Sequence, residues 1–405
     1  MKRKLGLGLI IIVAVCCILY FIFNNSKDSE LYSNIPIKYH KKLDSALVIA
    51  DTNAGELKKA LINAPVEQKE AVAFLICYMP ERDLKSLKSD YLLENIKYAY
   101  KAKEKFKWSK NIPNEIFLND VLPYCSLNEN RDNWRKDFYN RFSKYVDTTT
   151  NIFDAIKAIN KNILNEVLVE YNVNREKPDQ SPYESMRQNM ASCSGLAILL
   201  TDALRAVGIP ARVAGTPNWY DNSGNHNWTE IWADGKWYFT EYNSSKDLND
   251  CWFISNAGQA DENSREYSIY ASSFKPAQTS FLLVWDTTLN YVHAENVTKR
   301  YIDVYKDKQR QQLNKSDECV QVKVNFIDKN IQNNDKRLPV IVNVFDSKGK
   351  IDAGITSDNK KDLNDYLVFI LRKNNDYILK YNYDNKNMEY KLKLSTDNII
   401  INLTN

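Results

Sequence analysis

Ser192-Cys193-Ser194-Gly195-Leu196-Ala197-Ile198-Leu199-Leu200-Thr201-Asp202-Ala203-Leu204-Arg205-Ala206-Val207-Gly208-Ile209-Pro210 is the best-defined element of the chain. Leu196, Leu199, Leu200, Ala203, Leu204 and Val207 recur at i, i+3, i+4, i+7, i+8 and i+11, one continuous apolar stripe of a buried helix. Gly208 followed by Ile209-Pro210 stops it. Ser192 is placed to cap the N-terminus, so Cys193 falls at the first helical position. Unsatisfied amide N–H groups and the helix dipole favour an anion there, which lets a thiol lose its proton easily. Alone, a cysteine in such a helix reads as a small space-filler. The next stretch gives it a partner.

Residues 211–214 read as a strand, followed by His226-Asn227-Trp228-Thr229-Glu230-Ile231-Trp232-Ala233 and Lys236-Trp237-Tyr238-Phe239-Thr240-Glu241 around Asp234-Gly235. Asp-Gly between two aromatic, β-favouring runs is the strongest short hairpin signal available. With a two-residue loop, partner numbers sum to 469, which sets Trp228 opposite Glu241 and His226 one diagonal step away on the same face. Diagonal neighbours lie about 7–8 Å apart, within reach of a long side chain. A glutamate so placed can orient the imidazole and fix its tautomer, completing a set of nucleophile, base and orienter. His226 is one of three histidines; His40 falls in a helical stretch and His293 near a domain end, and both are read as structural.

Working outward, Leu43, Leu47, Ala50, Ala54, Leu57 and Leu61, then Ala71, Val72, Phe74 and Leu75, return at helical intervals, with Pro65, Pro80, Pro113 and Pro123 as breaks. This predicts a helical domain over residues 26–172, ahead of a catalytic domain over 173–300. From about Val320 the period changes to two: Val320, Val322, Val324 and Phe326; Val340, Val342 and Val344; Met388, Tyr390, Leu392 and Leu394. Short strands with regular turns predict an immunoglobulin-like or transthyretin-like β-sandwich over residues 301–405, an accessory domain with no catalytic cluster. The fold class is therefore α+β.

At the N-terminus, Lys2, Arg3 and Lys4 precede an uncharged run from Leu5 to Phe23, 19 residues long. A membrane-spanning helix needs about 20. With the basic residues kept inside, residues 1–25 are expected to anchor the chain in the membrane with its body facing the periplasm or exterior. A cleaved signal peptide, or a lipoprotein signal at Cys16 and Cys17, is the alternative. Five further cysteines, Cys77, Cys125, Cys193, Cys251 and Cys319, lie scattered singly, unlike a disulfide-stapled domain, and Cys193 is expected to be free.

Apolar residues at 44% and charged residues at 26% describe a folded protein, and a net charge of +4 without a basic block excludes the footprint of a nucleic-acid binder. No HExxH, paired CxxC, phosphate loop or GxGxxG turn occurs, so neither a metal, a nucleotide nor another cofactor is expected.

Ser192-Cys193-Ser194-Gly195 opening an apolar helix, Gly208-Ile209-Pro210-Ala211-Arg212-Val213 after it, then His226-Asn227-Trp228-Thr229-Glu230-Ile231 and Gly235-Lys236-Trp237-Tyr238-Phe239-Thr240-Glu241 closely resemble the transglutaminase-like superfamily, with its papain-like thiol chemistry. The resemblance covers about Ser181 to Trp252. It implies that Cys193 is the nucleophile and His226 the base, with Glu241 standing where the family normally has aspartate. The flanking segments look like those of bacterial surface-associated members. The expected activity is thiol-dependent acyl transfer on a peptide, glycopeptide or cell-wall amide. Water as acceptor makes a peptidase, amidase or deamidase, and an amine makes a cross-linking transglutaminase. An inactive scaffold that binds peptide or glycan at the cell surface is the reading from another class. Gln188 or Asn189 is the expected second oxyanion donor beside the Cys193 N–H. Of five tryptophans crowded between Trp219 and Trp252, Trp219 is the first candidate to line a substrate cleft, with Trp228 beside it.

Overall fold

The computed structural model describes residues 31–315, 318–331, 337–358, 366–395 and 399–405. The expected anchor, residues 1–25, lies outside the described residues; among those described, no helix is long and apolar enough to cross a membrane. The architecture is α+β: helices first, then a helix-backed antiparallel sheet, then a two-sheet β-sandwich.

Helices His40–Ile49, Ala54–Asn63, Lys69–Tyr78 and Ser89–Lys105 build the first layer. Two of them end where a proline follows: Ala64 before Pro65 and Met79 before Pro80 turn to extended backbone, because the proline ring crowds a helical residue in front of it. Leu43, Leu57, Leu61, Val72, Leu75 and Ile96 close this layer's core with no exposed surface.

Helices Arg135–Val146 and Ile152–Val167 instead face the thiol-bearing helix Cys193–Ala206. Phe138, Phe142, Ile156 and Ile159 share one apolar cluster with Leu199, Leu200, Ala203 and Leu204. The thiol helix is therefore buried on nearly every side, with a sheet on one flank and Arg135–Val146 on another, rather than along a single stripe. Its polar residues on the helical side need partners. Arg205 donates to Ala211 O at 2.8 Å and Cys125 O at 2.9 Å; Arg135 donates to Val121 O at 2.9 Å, Pro123 O at 2.7 Å and Arg205 O at 3.2 Å. Planar guanidinium groups with several fixed donors satisfy carbonyls that neither helix nor strand uses.

The core sheet comprises β1 (Ala211–Thr216), β2 (His226–Ala233), β3 (Lys236–Thr240), β4 (Tyr270–Ser273), β5 (Thr279–Ser280) and β6 (His293–Asn296), in the order β3-β2-β1-β4-β6-β5 and antiparallel throughout. The β2–β3 hairpin turns on Asp234 and Gly235, both at positive φ (47° and 80°), and its register runs from Ala233 opposite Lys236 to Thr229 opposite Thr240, as the two-residue turn requires.

Helix Thr298–Lys315 leads to the sandwich. There β7 (Cys319–Ile327) lies between β10 (Leu367–Arg372) and β13 (Ile399–Thr404). The second sheet runs β9 (Gly349–Ile355), β8 (Ile341–Asp346), β11 (Asp376–Tyr383), β12 (Lys386–Lys393). The alternating residues Val322, Val324, Phe326, Val342 and Val344 meet in its core.

Candidate active site

Ser192 caps the thiol helix: its backbone is extended and its hydroxyl accepts from the Gly195 N–H at 3.1 Å. A side chain at Gly195 would put its Cβ 2.9 Å from that of Ala191, so glycine is what lets segment Met190–Ala191 lie against the helix start. Cys193 thus begins the helix, with its thiol facing strand β2. Burial raises its pKa, but the His226 hydrogen bond and charge, the Asn227 backbone N–H and the Ser194 hydroxyl outweigh it, and the thiol sits below its ordinary value.

His226 opens β2. Burial disfavours its charge, yet the bonds and charges of Cys193 and Glu241 win, and its pKa rises to about 9. Its Nε2 lies 3.0 Å from Glu241 Oε1, which leaves Nδ1 for the thiol. The two shifts run in the direction of one thiolate–imidazolium pair.

Glu241 follows the last residue of β3. Asn160, buried in helix Ile152–Val167, fixes this segment: its Nδ2 donates to Glu241 O at 2.9 Å and Thr240 Oγ1 at 3.1 Å, while its Oδ1 accepts from Ser244 N at 3.2 Å. Glu241 Oε1 accepts a second bond, from Trp252 Nε1 at 2.8 Å. The Trp252 ring stands 5.0 Å from that of His226 and is 60% exposed, so it roofs the imidazole–carboxylate pair.

Behind the imidazole the wall is aromatic: Trp228, Phe253 and Trp219 lie within 6.4 Å, centroid to centroid, and all are buried. A polar chain anchors this wall. Trp228 Nε1 donates to Tyr301 Oη at 2.7 Å, and Tyr301 donates to Glu230 Oε1 at 2.9 Å. Glu230 is held between Arg212 at 2.9 Å and Arg300 at 2.5 Å. Asn227 Nδ2 donates to Ser194 Oγ at 2.7 Å, pinning β2 to the helix start. Gly215 makes room for it, since a Cβ there would sit 1.8 Å from Asn227 Oδ1.

The thiol, imidazole and carboxylate lie in a cleft of about 420 Å³, whose other walls include Tyr171, Leu196, Trp228, Tyr242 and Trp252. Ligand pockets span roughly 300–1,000 Å³. Among the described residues no cluster of metal-ligating side chains occurs, and every described cysteine is free.

The three residues expected to form the catalytic set meet here, and Trp228 contributes to the cleft wall. Three expectations are corrected. Trp219 does not line the cleft: at 3% exposure it stacks on Trp228 in the aromatic core behind His226. Gln188 points away, its amide bonded to the Glu176 N–H and carboxylate. Asn189, left-handed at φ 52°, ends helix Pro182–Gln188 and donates to Leu168 O at 2.9 Å. Neither amide is free to serve as an oxyanion donor. His40 bonds to Ile35 O in the helical layer, and His293 lies half-buried in β6, both away from the cleft. Reading the sequence missed Trp252, Asn160 and Tyr171. Trp252 had a signal, as one of the crowded tryptophans; the other two join the site only through tertiary packing.

A family model described as the transglutaminase-like superfamily matches residues 140–242. No curated protein matches the chain. Among solved structures, one described as a candidate cysteine protease from Cytophaga hutchinsonii is 20% identical over 34% of this chain and 45% of its own, with a TM-score of 0.28. Red sea bream transglutaminase is 10% identical over 65% and 58%, with a TM-score of 0.28. A third, described as a TGase, is 17% identical over 38% and 40%, with a TM-score of 0.22. The chain thus spans about half the length of the solved proteins it matches. The matched segment runs from within helix Arg135–Val146 past Glu241 and takes in Cys193 and His226, so the part of the chain that resembles the transglutaminase-like superfamily is the part that builds the thiol site.

Proposed function

We propose that the protein is a thiol-dependent acyl-transfer enzyme that hydrolyses amide bonds through Cys193, His226 and Glu241. One observation carries this reading: a half-exposed cleft holds a thiol kept below its ordinary pKa despite burial, paired with an imidazole that a carboxylate grips on its other nitrogen. Titratable groups shifted by one another and converging in a cleft are the mark of a functional site, which speaks against a mere scaffold.

The Cys193 thiolate attacks the amide carbonyl carbon, forming a C–S bond and moving an electron pair onto oxygen. The Cys193 N–H, at the helix start, is placed to stabilise that oxyanion. As the tetrahedral adduct collapses, the C–N bond breaks and the His226 imidazolium gives its proton to the leaving amine. Water, whose proton His226 takes, then adds to the thioester carbonyl carbon; as that adduct collapses the C–S bond breaks, its electron pair returns to the Cys193 thiolate, and the acid departs. Trp252 and Tyr171 are each 60% exposed at the cleft mouth, which gives water access to the thioester, and water as the acceptor makes the reaction a hydrolysis. With residues 1–25 as an anchor, the substrate is a peptide, glycopeptide or cell-wall amide outside the membrane.

The test is site-resolved alkylation with a mild iodoacetamide probe near pH 7. Cys193 should label first, because burial pushes Cys77, Cys125 and Cys251 upward. His226→Ala should slow that labelling at least roughly tenfold, about one pKa unit, with the fold intact. Cys193 labelling no faster than the other cysteines, and indifferent to His226, would return the site to a structural role.

A further inference from the structure

We propose that Asp352, on strand β9 of the sandwich, is a positioning residue for the thiol site: through Ser255 it holds the segment that carries Trp252, and Trp252 in turn holds the Glu241 carboxylate on His226. This deepens the acyl-transfer reading, on which it rests, by bringing the accessory sandwich into the reaction.

Trp252 lies outside regular structure, just ahead of helix Ile254–Gly258. At 60% exposure it has little packing of its own, yet its Nε1 sits 2.8 Å from Glu241 Oε1. The backbone on either side therefore sets where the ring points. Phe253, fully buried against Trp228 and Phe239, fixes one point of that backbone. A segment pinned at one point can still turn about it, and two further contacts prevent this. On one side Asp250 Oδ1 accepts from Lys308 Nζ at 2.5 Å, an ion pair with both groups partly exposed and so worth little. On the other side the Ser255 hydroxyl donates to the Asp352 carboxylate.

Asp352 is itself fixed: it accepts from the Ala353 N–H at 2.8 Å and from the Tyr305 hydroxyl at 3.2 Å. Helix Ile254–Gly258 has five residues, far below the roughly 12–15 at which a helix holds without tertiary support, so its direction depends on what it is bonded to. Gly258 completes the seat, because a Cβ there would lie 2.2 Å from Tyr305 Cδ1. The short helix, helix Thr298–Lys315 and β9 thus converge on one carboxylate. Without it the Asn160 bond to Glu241 O remains, which keeps the carboxylate near His226 and the thiol paired. What is lost is the fine aim of the imidazole, and hydrolysis of the thioester, which needs His226 directed at a water, depends on that aim more than alkylation does.

The probe is p-nitrophenyl acetate with the full-length protein. Attack by the Cys193 thiolate forms the acetyl thioester and expels p-nitrophenolate in a burst; water then releases acetate and returns the thiolate, which sets the steady rate. Asp352→Ala and Ser255→Ala should each lower the steady rate roughly three- to tenfold, while the burst and iodoacetamide labelling of Cys193 stay within about twofold. Asp352→Asn, which keeps an acceptor for Ser255, should restore most of the rate. In a Trp252→Phe background Asp352→Ala should have no further effect, because the two residues act through one chain of contacts. Exchange of the Trp252 indole N–H with water, followed by NMR and identified by its loss in Trp252→Phe, should quicken several-fold in Asp352→Ala. An unchanged steady rate and exchange in Asp352→Ala, whatever its stability, or an equal loss of rate in the Trp252→Phe background, overturns the positioning role and leaves the thiol chemistry standing. No burst from the parent protein, with indole exchange still governed by Asp352, defeats the acyl-transfer reading and upholds Asp352 as the support of Trp252. Should Asp352→Ala fail to fold, Ser255→Ala, which keeps the other Asp352 bonds, carries the same comparison.

Discussion

At Glu241, one carboxylate oxygen accepts from both His226 and Trp252, so the extra methylene relative to aspartate is held straight by a tryptophan rather than left to swing. The sequence showed the glutamate but could not show its clamp, because Trp252 returns to it through an irregular connection with no period to read. Trp252→Phe keeps a ring over the imidazole and deletes the N–H. The expected result is a loss of roughly tenfold in amide turnover, about 1.4 kcal/mol, the scale of one charge-assisted hydrogen bond at a half-exposed position. The pH dependence separates thiol from imidazole. The Cys193 thiol is held down, so alkylation should stay level from below the ordinary thiol range upward. Acyl transfer also needs the proton on His226, whose pKa is about 9, so turnover should fall as pH rises through about 9 while alkylation does not. The sign is that of a base with a raised pKa: its stabilising pairing is complete below the unfolded value of about 6.5 and disappears across the folded one. Parallel pH profiles of turnover and labelling check this, and a common upper limb for both would refute it.

Among the elements, the hairpin was fully legible and the loops were not. Asp234-Gly235 dictates a two-residue turn, and a two-residue turn dictates register; hence His226 and Glu241 could be placed together from the sequence alone. Trp219 and Asn189 sit where the chain reverses outside regular structure, at positions set by cavities in the surrounding core rather than by local pattern. Asn160 is the sharper case, a polar residue on the buried face of an amphipathic helix, whose use becomes visible only when the end of β3 packs against it. Asn160→Leu leaves Glu241 O and Ser244 N without this partner. It should destabilise the fold by about 1–3 kcal/mol, the cost of orphaning buried backbone groups, and should also slow labelling of Cys193, because Glu241 loses its fixed start. Denaturant titration together with iodoacetamide kinetics reads both effects. Stability lost with labelling unchanged would show that Glu241 is positioned by Trp252 alone.

On the scale of the whole molecule, the change of hydrophobic period near Val320 marked the sandwich correctly because its core is closed on itself: Val322, Val324, Phe326, Phe369 and Leu379 pack with residues of their own two sheets. The helical region is different. Ala102, Phe106, Trp134 and Phe138 belong to the same cluster as Leu199, Leu200 and Leu204, and Arg135 bonds to the Arg205 carbonyl of the thiol helix itself. Helical periodicity shows which face is apolar, which is enough to expect a helical scaffold packed on the next domain, but not which residues of that domain it meets. This sharing makes the two ends of the chain unequal under truncation. A chain ending at residue 317 loses the sandwich and its links from Asp352 to Ser255 and Tyr305, but keeps Tyr301 on Trp228 and every residue of the thiol cluster. It should unfold cooperatively and label at Cys193 near the full-length rate. A chain starting at residue 140, where the family match begins, exposes the flank of the thiol helix and leaves Arg205 without the Cys125 carbonyl. It should show no cooperative transition and no preference for Cys193 among its cysteines. Calorimetry of the two truncations, with mass-spectrometric mapping of the labelled thiols, decides the matter: a cooperative, selectively labelled chain from residue 140 onward would mean that the N-terminal helices are an ornament on the thiol-bearing core rather than half of it.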